Sequence, residues 1–164
     1  MQAETKTYVV KRVRLWNASK LFKVTDLLYR CGKDMAKKFD LHHWDNSRLK
    51  TFAIVCYCSL KNKIYAVFDG QEKTLIATFQ TRKNKTAFLF QKLATLPEAA
   101  GKGVGSFCLS EIEKMARQAG CKEVVCEVYD KSEHAKVFYE RRGYSVFGET
   151  KTLKYGELKL KKEF

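Results

Sequence analysis

Proline is almost missing from this chain: Pro97 is the only one among 164 residues. No run of about 18 consecutive apolar residues occurs, which excludes a membrane-spanning helix on length grounds. The opening segment MQAETKTYVVKRVRLW lacks an apolar core followed by a small-residue cleavage site. A cytoplasmic protein is therefore expected. Cys-x-x-Cys is absent as well. The pair Cys56 and Cys58 has no second pair at zinc-ribbon spacing, so no metal site is expected. Cys31, Cys108, Cys121 and Cys126 complete the set of six, and four of the six sit in apolar runs, where free cysteine behaves as a small hydrophobe. A nucleophilic role for Cys108 has no paired base in the sequence. Acidic residues are few: 18 Asp and Glu against 32 Lys and Arg give a net charge of +14. Such a charge suits nucleic acid or an acidic partner. The cations are spread along the whole chain, however, with only short clusters such as Lys159, Lys161 and Lys162. No recognised nucleic-acid motif accompanies them, so that class is disfavoured; it would predict affinity falling steeply with salt.

What is present is the composition of a folded α/β domain, 45 % hydrophobic and 30 % charged. Tyr8 to Leu15 alternate like a strand, and Asn17 or Ser19 can cap the helix that follows. Leu21, Val24, Leu27, Leu28 and Cys31 keep helical spacing until the pattern fades near Phe39. Asp40 to Ser47 reads as a loop. Leu49 to Leu60 fits a helix or a buried strand, and a helix is favoured because a polar Lys61-Asn62-Lys63 break follows and a clearer strand begins at Ile64. Strand patterns follow over Ile64–Asp69, Thr74–Gln80 and Thr86–Thr95. Gly103 to Gln118 is amphipathic and stops at Gly120. Val124–Tyr129 is a buried strand, Ser132 caps a short helix ended by Gly143, and strands at Tyr144–Phe147 and Thr152–Leu160 close the chain. No linker or repeat interrupts this pattern, which predicts one domain over residues 1–164.

The most informative stretch is Leu93-Ala94-Thr95-Leu96-Pro97-Glu98-Ala99-Ala100-Gly101-Lys102-Gly103-Val104-Gly105-Ser106. A strand leads in, the sole proline closes it, and three glycines precede an amphipathic helix. Glycine lets backbone amides approach a ligand closely, and a helix N-terminus adds free N–H groups and a positive dipole end. The turn therefore predicts an anion site, to which Lys102 and Ser106 can add a charge and a hydroxyl. The spacing Gly-x-Gly-x-Gly does not fit a dinucleotide fingerprint, and Gly101-Lys102-Gly103 fails a Walker loop at its third position.

This stretch resembles the acetyl-coenzyme A motif of the GCN5-related N-acetyltransferase (GNAT) superfamily, Gln/Arg-x-x-Gly-x-Gly/Ala. Ala100 stands in the Gln/Arg slot and Gly103 and Gly105 at the two small positions. Ser132-Glu133-His134-Ala135-Lys136-Val137-Phe138-Tyr139-Glu140-Arg141-Arg142-Gly143-Tyr144 is similar to a second family segment, Asn-x-x-Ala-x-x-x-Tyr-x-x-x-Gly-Phe. The resemblance implies the GNAT fold, a mixed and mostly antiparallel sheet of about seven strands flanked by helices. It also implies acetyl-CoA as co-substrate, whose phosphates would use some of the basic surface. The backbone from Gln91 through Leu93, Ala94 and Thr95 would pair with the pantetheine arm. The amides of Ala100, Gly101, Lys102, Gly103, Val104, Gly105 and Ser106 would hold the pyrophosphate. Ser132 would touch the cofactor, and Tyr139 would stabilise or protonate the departing thiolate. A backbone N–H near Leu93 would polarise the thioester carbonyl.

The implied reaction is direct acetyl transfer to a primary amine of a small molecule or protein in a ternary complex. An amine is mostly protonated at neutral pH, so a base is needed. Gln91 stands near the slot where the family often carries a glutamate. Glu98, Asp130, His42, His43 or water remain as candidates; the two histidines lie with Trp44 in the loop where the family often forms its acceptor pocket. The basic charge disfavours polycationic acceptors through long-range repulsion. The alternative is a catalytically silent module that binds acetyl-CoA or a partner without turnover. Homodimerisation is left open.

Overall fold

The computed structural model describes residues 7–70, 73–151 and 155–164. Seven strands form one sheet: β1 (Tyr8–Val13), β2 (Lys63–Asp69), β3 (Leu75–Asn84), β4 (Ala87–Thr95), β5 (Glu123–Tyr129), β6 (Ser145–Lys151) and β7 (Gly156–Glu163). Their spatial order is β1-β2-β3-β4-β5-β7-β6, with every pair antiparallel except β4 and β5. This is the mixed, mostly antiparallel sheet of about seven strands that the family resemblance implies. The first six residues and the first three of the expected strand Thr152–Leu160 lie outside the described residues.

Among the described residues four helices flank the sheet: α1 (Ala18–Phe39), α2 (Arg48–Lys61), α3 (Val104–Gln118) and α4 (Glu133–Glu140). The Asn17 side chain accepts from the Lys20 amide at 3.1 Å and starts α1. Ser47 caps α2 in the same way at 3.3 Å. Along α3, Val104, Cys108, Leu109, Ile112 and Ala116 recur at helical spacing and are buried against the sheet. Full burial of one such aliphatic side chain stabilises by about 1.5–3 kcal/mol. The buried residues of both layers form one hydrophobic cluster that includes Val24, Phe79, Val124 and Leu160. No helix among the described residues is long and apolar enough to cross a membrane.

Several boundaries differ from the pattern: β6 runs on past Phe147 to Lys151 and β7 past Leu160 to Glu163, held by their mutual pairing and by that of β7 with β5. β3 continues past Gln80 to Asn84, because Thr81–Asn84 pair with Phe90–Ala87; cross-strand pairing outweighs the polar composition of that end. β1 stops at Val13 rather than Leu15, since the Asn17 amide donates to the Arg14 carbonyl at 2.9 Å and turns the chain into α1.

Candidate active site

The sheet opens between its two parallel strands. β4 and β5 pair only at Ala87↔Glu123, Phe88↔Val124 and Leu89↔Val125. Beyond that point β4 keeps its pairing with β3 as far as Thr95, and β5 keeps its pairing with β7 as far as Tyr129. Each strand thus holds its outer neighbour while losing the inner one. β4 also carries one extra residue there: Thr78 faces Ala94 and Gln80 faces Gln91, with Lys92 at φ 51 in the bulge. The β5-facing backbone of residues 92–95 is left without a strand partner, and extended backbone in that state accepts another extended chain.

The glycine turn follows directly. A 3₁₀ turn at Pro97–Ala99 leads into Gly101 (φ 72) and Gly103 (φ 82), the latter capping α3. Both are left-handed, a conformation that non-glycine residues disfavour by about 1–2 kcal/mol. A side chain at either would meet nothing within 4 Å, so the space above them is open. Ala99, Ala100 and Lys102 donate their amides within the turn, but those of Gly101, Gly103 and the first turn of α3 have no backbone acceptor among the described residues. Free amides, open space and a helix N-terminus fit a diphosphate. Gly105 serves differently: a Cβ there would sit 3.3 Å from the Phe138 ring, so its absence lets α3 and α4 approach.

Arg142 is part of this rim, and the sequence reading did not find it. Its guanidinium donates to Ser106 Oγ and, at 2.8 Å, to the Phe138 carbonyl, and lies 3.8 Å over the Phe138 ring. The Ser106 hydroxyl accepts from it, which leaves its own hydrogen free to donate. Position 142 lies inside the recognised segment, but only the pairing of α3 with α4 reveals its partner.

Tyr139 of α4 is 8 % exposed, its ring among Phe90, Phe138 and Tyr144. Burial, with Cys126 and Cys108 nearby, holds its hydroxyl well above the ordinary tyrosine pKa, so it stays protonated. Among the described residues that hydroxyl has no hydrogen-bond partner. Ser132 is buried at the start of α4, with Oγ 3.5 Å from His134 Nδ1. Burial pushes the Cys108 thiol up to about 12, which leaves no thiolate for nucleophilic work. All six cysteines are free, and among the described residues no cluster of His, Cys, Asp and Glu could hold a metal.

The loop between α1 and α2 lies over the open side of the sheet. Gly32 permits this, because a Cβ there would meet the Trp44 carbonyl oxygen at 2.3 Å. His43 stacks on Tyr129 with centroids 4.2 Å apart, and the Lys92 ammonium lies 5.6 Å from the Trp44 ring centre. Of the five base candidates, His42 is exposed and bonded to Asp40 at 2.8 Å and Asp45 at 3.4 Å. Glu98 is exposed and paired with Arg30. Asp130 is exposed and abuts Gly156. Burial, with the nearby His134, drops His43 to about 4, too weak a base for an amine.

His43 also carries a stability prediction. Among the described residues its Nδ1 is buried without a partner, so the folded state disfavours its charged form. The unfolded chain takes up that proton as pH falls below about 6.5, and the folded chain only near 4. Stability is therefore fully present above about 6.5 and declines as pH drops through that window. The melting temperature of wild type is expected to fall more steeply there than that of His43→Phe, which keeps the stack. Parallel slopes in a fluorimetric melt would refute this assignment.

Two carboxylates that sequence reasoning did not place as bases face the opening. Glu127 pairs across β5 and β7 with Lys159, and Tyr129 with Glu157, so Glu127 and Glu157 are diagonal neighbours, about 7–8 Å apart at the backbone. Burial first, then the charge of Glu127, raises the Glu157 carboxyl above its ordinary value, and Lys92 opposes this. Nearby, the Gln91 and Asn62 amides both donate to Gln80 Oε1 at 3.3 Å.

The sequence matches the Acetyltransferase (GNAT) family over residues 26–144. Comparison with curated proteins gives no match. Among solved structures, the fold is similar to that of the PaiA N-acetyltransferase from Thermoplasma acidophilum in complex with coenzyme A. That likeness has a TM-score of 0.77 and 15 % identity, and covers 96 % of this chain and 99 % of that one. The IAA acetyltransferase from Bacillus cereus gives 0.70 and 13 %, covering 96 % and 100 %. The ribosomal-protein-S18-alanine N-acetyltransferase from Escherichia coli gives 0.70 and 14 %, covering 94 % and 92 %. With its family match spanning well over half its length, this chain belongs to the acetyltransferase (GNAT) family, whose members are acetyl-CoA-dependent N-acetyltransferases.

Proposed function

We propose that the chain, as one domain, moves the acetyl group of acetyl-CoA onto a primary amine by direct attack in a ternary complex. The observation that carries this is the coincidence of the opened β4–β5 pair with a free-amide glycine cradle at its end. Acetyl-CoA, when bound, supplies an acetyl group activated as a thioester. The backbone of Leu93, Ala94 and Thr95 would hold the pantetheine arm, with a backbone N–H near Leu93 polarising the carbonyl. The amides of Gly101, Gly103, Val104, Gly105 and Ser106 would hold the diphosphate, whereas those of Ala100 and Lys102, also expected there, are taken up by carbonyls of the turn; Ser132 would lie along the same path. Glu157, beside Glu127, would take the proton that turns an ammonium into a nucleophile. As the C–S bond breaks and the N–C bond forms, the nitrogen loses its second proton and the thiolate gains one. Tyr139, still protonated and without another partner, would donate the hydrogen bond that steadies the thiolate. Six free thiols suit a reducing compartment, and we place the enzyme in the cytoplasm.

The experiment is coenzyme A release, followed with a thiol reagent over a panel of primary amines. Tyr139→Phe keeps the ring and its packing, so donor affinity should hold while kcat falls by about a hundredfold. Unchanged kcat would make Tyr139 a packing residue only. Donor binding by wild type with no release from any amine would favour the silent module.

A further inference from the structure

A cavity of about 500 Å³ lies between the C-terminal end of α2 and the sheet, with Gln91 and Glu127 on its wall. Its charges are lopsided. Lys61, Arg82 and Lys159 line it, against a single carboxylate, Glu127. Among the described residues Arg82 and Lys159 form no ion pair, and Lys61 donates only to the Tyr57 hydroxyl. Hydrogen-bond donors are also in excess. Gln80 is fully buried, its Oε1 is shared by Asn62 and Gln91, and its Nε2 is a buried donor with no acceptor among the described residues.

The register orders these groups. Glu127 is at the end nearest the opening between β4 and β5, and Lys159 is its cross-strand neighbour. Arg82 belongs to the next row, in line with Leu89 and Val125. Strand spacing and rise put the cation-bearing sheet positions roughly 5–12 Å from Glu127. Between the poles, Leu89, Val125 and Phe147 offer apolar surface.

We propose that the acceptor is a small primary amine bearing a carboxylate several methylene groups away. Its ammonium end docks at Glu127, its methylene chain lies on Leu89 and Val125, and its carboxylate meets Arg82 and Lys61. Amines whose far end is uncharged or cationic offer those cations no partner, and a cationic far end is repelled by them. This assignment rests on the reading of the chain as an acetyltransferase with Glu127 beside the transfer site.

The test uses three probes of matched length on the full chain saturated with coenzyme A: 6-aminohexanoate, hexylamine and hexane-1,6-diamine. Binding is read by ligand-observed NMR, and transfer from acetyl-CoA separately by thiol release. Wild type should bind 6-aminohexanoate at least tenfold more tightly than either other probe. Arg82→Glu, checked for an unchanged melting temperature, should erase or invert that order; Lys61→Glu does the same if Arg82→Glu fails to fold. Equal binding of the three probes, or an order indifferent to both charge reversals, overturns the proposal whether or not transfer occurs. Selective binding with no transfer to any probe supports the pocket and counts against the acetyltransferase reading instead.

Discussion

Gly103→Glu is expected to weaken acetyl-CoA binding at least a hundredfold while leaving the protein folded. Two effects act on different equilibria. The left-handed φ of 82 at this position costs a non-glycine residue about 1–2 kcal/mol, which falls on folding and is the same with and without ligand. The new carboxylate stands among amides that have no other backbone acceptor among the described residues, where it competes with and repels a diphosphate, and this acts on binding. A hundredfold loss of affinity corresponds to about 2.8 kcal/mol. No atom lies within 4 Å of the new Cβ, so nothing in the fold is displaced and the cost to folding is the backbone strain alone. Gly103→Ala separates the contributions: it should lower the melting temperature similarly but retain most of the affinity. Calorimetric titration of both variants with acetyl-CoA checks this. Full affinity in Gly103→Glu would move the diphosphate elsewhere.

That cradle was legible in the sequence because it is local. One proline, three glycines and the start of an amphipathic helix fall within fourteen consecutive residues. Their reasons were less legible, since Gly101 and Gly103 serve dihedral freedom while Gly105 serves a contact with a helix thirty residues away. The elements themselves followed from period and caps, including the ambiguous run at Leu49–Leu60, where Ser47 caps a helix that carries Cys56 and Cys58. The opening of the sheet was not readable from the residues themselves, because it is a pairing that stops, and no residue type announces it. Glu127 alternates correctly along β5 between Val124, Cys126 and Val128, yet its neighbour Glu157 is set by β7 inserting between β5 and β6. Strand order of that kind is long-range, and only the register makes the two carboxylates neighbours.

The pH dependence of turnover follows from those neighbours. A base must be unprotonated to accept the amine's proton, so activity falls as pH drops through its pKa. Burial and Glu127 raise that value for Glu157, and Lys92 lowers it. Glu127→Gln removes the raising charge, so the acid limb of kcat/KM should move to lower pH. Lys92→Met removes the opposing charge and should move the limb to higher pH. Glu157→Gln leaves no proton acceptor at this position, and kcat should fall about a hundredfold or more, with donor affinity intact. Opposite shifts from two neighbours on different strands cannot come from a general loss of packing, which would depress the profile without sliding it. If the limb stays fixed in both variants, or Glu157→Gln turns over like wild type, the proton goes to water or to another group. The amine's own titration then sets the profile, and Glu157 is left as a half-buried carboxylate diagonal to Glu127 across β5 and β7.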